Sequence, residues 1–244
     1  MSAWPYPRWV AHRGAGKLAP ENTLAAFRLG AQHGYRMFEC DAKLSSDGVV
    51  FLMHDASLER TTSGQGIGGD LTWRELSQLD AGNWHSPAYA GEPLPTLASV
   101  ARFCLANNYL LNIEIKPTPG LEEHTGVVVA REAQKLWAGA GVAPLLTSFQ
   151  PDSLKGAMAA APELPRGLLL DELHPGWFEM AQSLACQAIV CNHRLWNEQT
   201  VGQVTDAGMK CLTYTVNDKP TAERLLDLGI AAVITDRLDL FPPD

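Results

Sequence analysis

The feature that most constrains this chain is a rhythm: a short apolar run, a polar or charged tip, then an amphipathic segment, repeated along its length. Arg8 to Ala11 is one such run and ends in His12-Arg13-Gly14. Leu110 to Lys116, Leu145 to Phe149, Gly167 to Asp171, Ala188 to His193, Cys211 to Asn217 and Ala232 to Asp236 repeat the form. Helical patterns fall between runs, at Leu24 to His33, Thr96 to Ala106, Gly126 to Trp137 and Pro151 to Ala160. In the first, Leu24, Phe27 and Ala31 share a face, Asn22 or Thr23 is placed to cap it, and Gly34 stops it. Strands alternating with helices pair in parallel through right-handed crossovers. Eight or more such units in 244 residues predict an α/β fold, a (β/α)8 TIM barrel.

The stretch Met37 to Asp55 departs from the rhythm. It reads as two short strands joined by a Ser45-Ser46-Asp47-Gly48 turn, and the seven residues between Asp41 and Val49 leave no room for a helix. Nine runs are then present where a barrel needs eight, so one of them is a hairpin or accessory strand. After it, Ala56 to Pro95 forms a polar tract rich in Gly, Ser, Thr and Trp, too long for an ordinary loop. Thr72-Trp73-Arg74-Glu75 has capping-box spacing and predicts a small helix inside it. With 46% apolar residues the chain can bury one large core, which predicts a single domain over residues 1–244 carrying a functional insertion or lid at 56–95.

A net charge of −8 offers no basic footprint for nucleic acid or an anionic membrane surface. Nowhere do about eighteen apolar residues follow one another, and the first residues lack a charged segment leading into an apolar run. The five cysteines include no CxxC pair and read as small core residues of a reducing compartment. The expectation is a soluble cytoplasmic protein with a small-molecule substrate and no inferable protein partner.

Chemistry concentrates at the tips. Side chains alternate across a strand, so Glu39 and Asp41 share one face, as do Glu114 and Lys116 in a later strand. In a barrel these tips lie near one another, and three converging carboxylates repel unless a cation neutralises them. One Mg2+ or Ca2+ is the expected resolution; separate ion pairs with helix-borne Lys or Arg are the plain alternative. His12 and His54, at two other tips, suit a general base and a general acid, with His12 accepting the nucleophile's proton and His54 protonating the leaving group. Arg13 and Lys116 add fixed positive charge matched to phosphate oxygens. Cation, two histidines and two bases together point to metal-assisted phosphoryl chemistry. His33, His85, His124, His174 and His193 read as surface residues, Trp84 as packing, Asp55 as orienting a neighbour, and Asp236 as supporting a basic residue of the site.

His12-Arg13-Gly14, Pro20-Glu21-Asn22-Thr23, Glu39-x-Asp41, Ser46-Asp47-Gly48, His54-Asp55, Glu114-x-Lys116, Ser148-Phe149, Tyr214-Thr215-Val216-Asn217 and Thr235-Asp236 occur in that order. In this the chain resembles the glycerophosphodiester phosphodiesterase family, particularly its cytoplasmic bacterial type. The resemblance implies hydrolysis of glycerophosphodiesters to glycerol 3-phosphate and an alcohol. It implies a divalent ion on Glu39, Asp41 and Glu114, acid–base work by His12 and His54, and phosphate contacts from Arg13 and Lys116. Phe149 and Tyr214 are implied at the glycerol end of the pocket; the family often carries Trp where this chain has Tyr214. Two rival functions are a lyase or lipid-cleaving enzyme of the same architecture, and a phosphate-binding protein without catalysis. The polar segment 56–95 argues against a lipid substrate, and the full set of acids and histidines argues against a mere binder.

Overall fold

In the computed structural model, which describes residues 4–243, the nine runs are nine strands. They are β1 (Trp9–Ala11), β2 (Met37–Leu44), β3 (Val50–Leu52), β4 (Leu110–Ile115), β5 (Leu145–Ser148), β6 (Arg166–Leu170), β7 (Ala188–Asn192), β8 (Lys210–Tyr214) and β9 (Ala232–Thr235). Eight of them pair in parallel in the order β1-β9-β8-β7-β6-β5-β4-β2, and a β1–β2 pairing at Ala11 and Phe38 closes the ring. The architecture is a (β/α)8 barrel. The ninth strand is β3, antiparallel to β2 and outside the ring, because a short turn can join only antiparallel neighbours.

Helices α1 (Leu24–Gln32), α3 (Leu97–Ala106) and α5 (Pro151–Ala160) lie where the sequence patterns place them. Thr23 is the α1 cap, accepting from the Ala26 amide, and Thr96 does the same for α3 through Ser99. Helix α2 (Trp73–Leu76) carries the full capping box between Thr72 and Glu75. Helix α4 (Glu122–Leu136) begins at Glu122 rather than Gly126, since Glu122 and Glu123 in its first turn complement the helix dipole. Three further helices complete the crossovers: α6 (Trp177–Ser183), α7 (Glu198–Asp206) and α8 (Lys219–Asp227).

Alternation along the strands divides the core in two. Outward side chains such as Phe38, Cys40, Ala42, Leu111 and Ile113 meet the helices in the larger cluster. Inward ones such as Val10, Met37, Leu145, Leu169, Val190, Leu212 and Ile234 fill the barrel. Helices α4 and α5 touch backbone to backbone. A Cβ at Gly126 would lie 1.9 Å from the Ser153 carbonyl oxygen, and one at Gly156 would lie 2.2 Å from that of Glu123. The chain between β3 and α3 folds over its own apolar cluster of Phe51, Met53, Leu58, Leu76, Ala81 and Leu94. Among the described residues no helix is long and apolar enough to cross a membrane.

Candidate active site

Strand β2 does most to build the site. All eight of its residues are buried, yet Glu39, Asp41 and Lys43 alternate with Phe38, Cys40 and Ala42, so every second side chain points to the barrel mouth. Register with β4 sets Glu39 opposite Asn112 and Asp41 opposite Glu114. Carboxylate oxygens of Glu39, Asp41 and Glu114 lie within 4.8 Å of one another. Because β3 runs back along β2, with the Met53 amide donating to the Asp41 carbonyl, His54 emerges beside this cluster.

The other residues singled out in the sequence arrive from strand ends. His12 and Arg13 follow β1, Lys116 follows β4, Phe149 follows β5 and Tyr214 ends β8. His12, Arg13, Glu39, His54, Glu114, Lys116, Phe149 and Tyr214 line one cavity of about 200 Å³, and Asp41, 1% exposed, lies buried among the acids. Phe149 meets Tyr214 edge-on with ring centroids 5.7 Å apart. The Tyr214 hydroxyl donates to the Leu170 carbonyl at 3.0 Å and is thereby engaged by the scaffold.

Electrostatics at the cluster follow from burial. Glu39 is pushed well above the ordinary carboxylate range by desolvation and by the charges of Asp41 and Glu114. Glu114 is pushed up to about 7 by burial first and then by the charge of Asp41. Burial pushes Asp41 the same way, but the charges of Arg13, Lys116 and His54 and the Asn22 hydrogen bond outweigh it and hold this carboxyl below its usual value. The pairs responsible are Arg13 Nε to Asp41 Oδ2 at 3.2 Å and Lys116 Nζ to Asp41 Oδ1 at 3.8 Å. Lys116 Nζ also meets Glu114 Oε1 at 2.6 Å.

Glu39 Oε1 and Asp41 Oδ1 are buried and accept no hydrogen bond, and Glu114 Oε1 meets the Lys116 ammonium without hydrogen-bond alignment. Buried acceptors left over in this way are costly unless a ligand satisfies them. Their spacing suits oxygens around one hard cation with bonds of roughly 2.0–2.6 Å. The donor set therefore fits a divalent metal.

Each histidine is braced by a carboxylate. His12 Nδ1 lies 2.6 Å from Asp236 Oδ1, and its Nε2 lies 3.8 Å from Glu39 Oε2. Asn217 Nδ2 donates to the other Asp236 oxygen at 2.9 Å. His54 Nδ1 lies 2.7 Å from Asp55 Oδ1. An Nδ1–H held by an ionised carboxylate leaves Nε2 as the ring's proton-transfer atom. Burial holds His54 below the ordinary imidazole value, helped by the Arg13 and Lys116 charges and opposed by Asp41 and Asp55.

Three contributors escaped the sequence reading. Asn22 is spent on Asp41 and not on the helix: its Nδ2 donates to Oδ2 at 2.7 Å and its Oδ1 accepts from the Asp41 amide at 3.0 Å. Its backbone is left-handed, with φ 59°, a conformation that Asn tolerates. Lys43 is buried and spans the His54 and Lys116 carbonyls at 3.5 and 3.4 Å, with burial lowering its ammonium to about 8. The period-2 register that selected Glu39 and Asp41 also selects Lys43. Arg60, on the segment after β3, pairs with Glu21 and Asp55.

Comparison with known proteins agrees with this geometry. A family model described as the glycerophosphoryl diester phosphodiesterase family matches residues 12–240. The glycerophosphodiester phosphodiesterase of Caldanaerobacter subterraneus subsp. tengcongensis is 33% identical over 234 residues, covering 93% of each chain. That of Bacillus subtilis is 31% identical over 249 residues, covering 95% of this chain and 84% of its own. A phosphodiesterase of Oleispira antarctica, solved in complex with the product sn-glycerol-3-phosphate, superposes with a TM-score of 0.89 at 36% identity, over 94% of this chain and 93% of that one. Fold and relatives place the chain among the barrel hydrolases. It belongs to the glycerophosphoryl diester phosphodiesterase family.

Proposed function

We propose that this protein hydrolyses glycerophosphodiesters to glycerol 3-phosphate and an alcohol, within one domain spanning 1–244 in which 56–95 is an insertion. The observation that carries the reading is the convergence of Glu39, Asp41 and Glu114, with unsatisfied oxygens, between two carboxylate-braced imidazoles at the barrel mouth. Those three acids would hold one Mg2+ or Ca2+. When bound, such an ion supplies Lewis-acid stabilisation of phosphate charge, worth several kcal/mol in comparable sites.

Arg13 and Lys116 place two further positive groups at the same cavity and favour the charge that builds on the phosphate oxygens in the transition state. Proton transfer falls to His54 and His12. His12 accepts the nucleophile's proton and His54 protonates the leaving alkoxide. Asp55 and Asp236 fix the rings so that Nε2 of each serves the reaction. Phe149, with Tyr214 and Leu169, offers an apolar wall to the glycerol carbons.

The test is turnover of glycerophosphocholine and glycerophosphoethanolamine, with and without a chelator, with the product identified. Release of glycerol 3-phosphate that stops on chelation and returns with Mg2+ or Ca2+ supports the reading. Turnover indifferent to chelator, or a cyclic phosphate as the final product, removes it.

A further inference from the structure

Arg60 lines no part of the cavity, yet its guanidinium makes four hydrogen bonds to carboxylates beside it. It donates from Nη1 and Nη2 to both oxygens of Glu21, each at 2.8 Å. From Nε and Nη2 it donates to both oxygens of Asp55, at 2.6 and 3.0 Å. Each of those carboxylates holds a second group that does face the cavity. Glu21 Oε1 accepts from Arg13 Nη1 at 2.8 Å, and Asp55 Oδ1 meets His54 Nδ1 at 2.7 Å.

We propose that Arg60 is a positioning residue that locks the phosphate-binding Arg13 and the proton-transferring His54 into one rigid frame, through Glu21 on one side and Asp55 on the other. This rests on the roles proposed above for Arg13 and His54. The frame draws on three separate stretches: the loop before α1, the end of the β2–β3 hairpin, and the polar segment that follows it. Only an arginine can present two edges of one plane to two carboxylates, since the lysine ammonium is a point charge.

At 44% exposure each Arg60 ion pair alone contributes little to folding, and the bidentate network adds only modestly to that. The segment carrying it has its own apolar cluster around Leu58, Leu76 and Leu94. What the four hydrogen bonds supply is geometry, because a displacement of about 1 Å in a reacting group costs on the order of 100-fold in rate. The Arg60 and His54 hydrogen bonds also keep Asp55 ionised far below the ordinary carboxylate range, so it remains an acceptor for the imidazole N–H.

The test is steady-state kinetics on glycerophosphocholine at saturating cation for Arg60→Ala, Arg60→Lys, Glu21→Gln, Asp55→Asn, and Arg60→Ala in the Glu21→Gln/Asp55→Asn background. Glu21→Gln is expected chiefly to raise KM and Asp55→Asn chiefly to lower kcat. Arg60→Ala is expected to do both, losing about 10- to 100-fold in kcat/KM, and Arg60→Lys to recover little of that loss. In the double-variant background Arg60→Ala is expected to cost less than about twofold, since the groups it acts through are gone. Wild-type kinetics from Arg60→Ala, full recovery by Arg60→Lys, or an undiminished cost in the double background each overturns the proposal. Where the alanine variant does not fold, the lysine variant decides by the same criteria. Failure of the underlying reading looks different: His54→Ala and Arg13→Ala would themselves then turn over normally.

Discussion

The two halves of this barrel are built from the same units and carry opposite chemistry. From β1 to β4 the strand ends present His12, Arg13, Glu39, Asp41, His54, Glu114 and Lys116; from β5 to β9 they present Phe149, Leu169, Tyr214, Thr215 and Ile234. The apolar filling of the barrel is lopsided in the same sense, with Leu145, Leu169, Ala188, Val190, Leu212, Ala232 and Ile234 all from the later strands. A buried charge is tolerable only beside its partners, so gathering most of the acids and bases on one arc, with Asp236 after β9 reaching His12 across the seam, lets each satisfy another. The opposite arc is then free to be oily. In the proposed reaction the phosphate of the diester would face the charged arc and its glycerol carbons the apolar one.

That division can be tested from its strongest consequence downward. Replacing His12 or His54 by Ala is expected to lower kcat by about 10²- to 10⁴-fold, measured as glycerol 3-phosphate release, and a variant within threefold of wild type would remove that ring from proton transfer. Asn22→Gly keeps the left-handed backbone accessible while removing both bonds to Asp41, and isothermal titration should show cation affinity about 10- to 100-fold weaker.

The pH dependence has a definite sign. With Glu114 raised from 4.5 to about 7 in the folded chain, the unfolded chain loses that proton first. Metal-free stability from this group therefore falls as pH rises through that window and is fully lost above about 7. A divalent ion needs the deprotonated acids, so the rise in Tm on adding Mg2+ should be larger at pH 8 than at pH 5. Equal shifts at both would break the link between the acids and the cation. On the oily arc effects should be small. Tyr214→Phe, whose hydroxyl serves Leu170, is expected to change KM by less than about threefold, whereas Phe149→Ala should raise it more.

Much of this was legible beforehand because two periodicities do most of the work. Alternation along β2 and β4 selected Glu39, Asp41 and Glu114, and the strand–helix rhythm specified the barrel. Helices α6 to α8 were harder to name: Trp177–Ser183 is short, and Lys219–Asp227 carries few apolar residues. Asn22 and Thr23 both suited the cap, and only the fold reveals that Thr23 takes it while Asn22 faces Asp41. Arg60 was invisible for another reason. Its partners lie 39 and 5 residues away on different loops, and no local pattern encodes a meeting between loops.

Strand β3 has one more consequence, for how this site could change by insertion or deletion. The hairpin works as a ruler with two-residue divisions, because neighbouring side chains on an extended strand point in opposite directions. Losing one residue between Leu44 and Val50 would turn His54 away from Asp41 if the pairing simply slipped. Losing two would restore its facing but shift it about 7 Å along β2. Length variation is therefore far better tolerated beyond Arg60, which itself holds Asp55, than in the few residues of this turn.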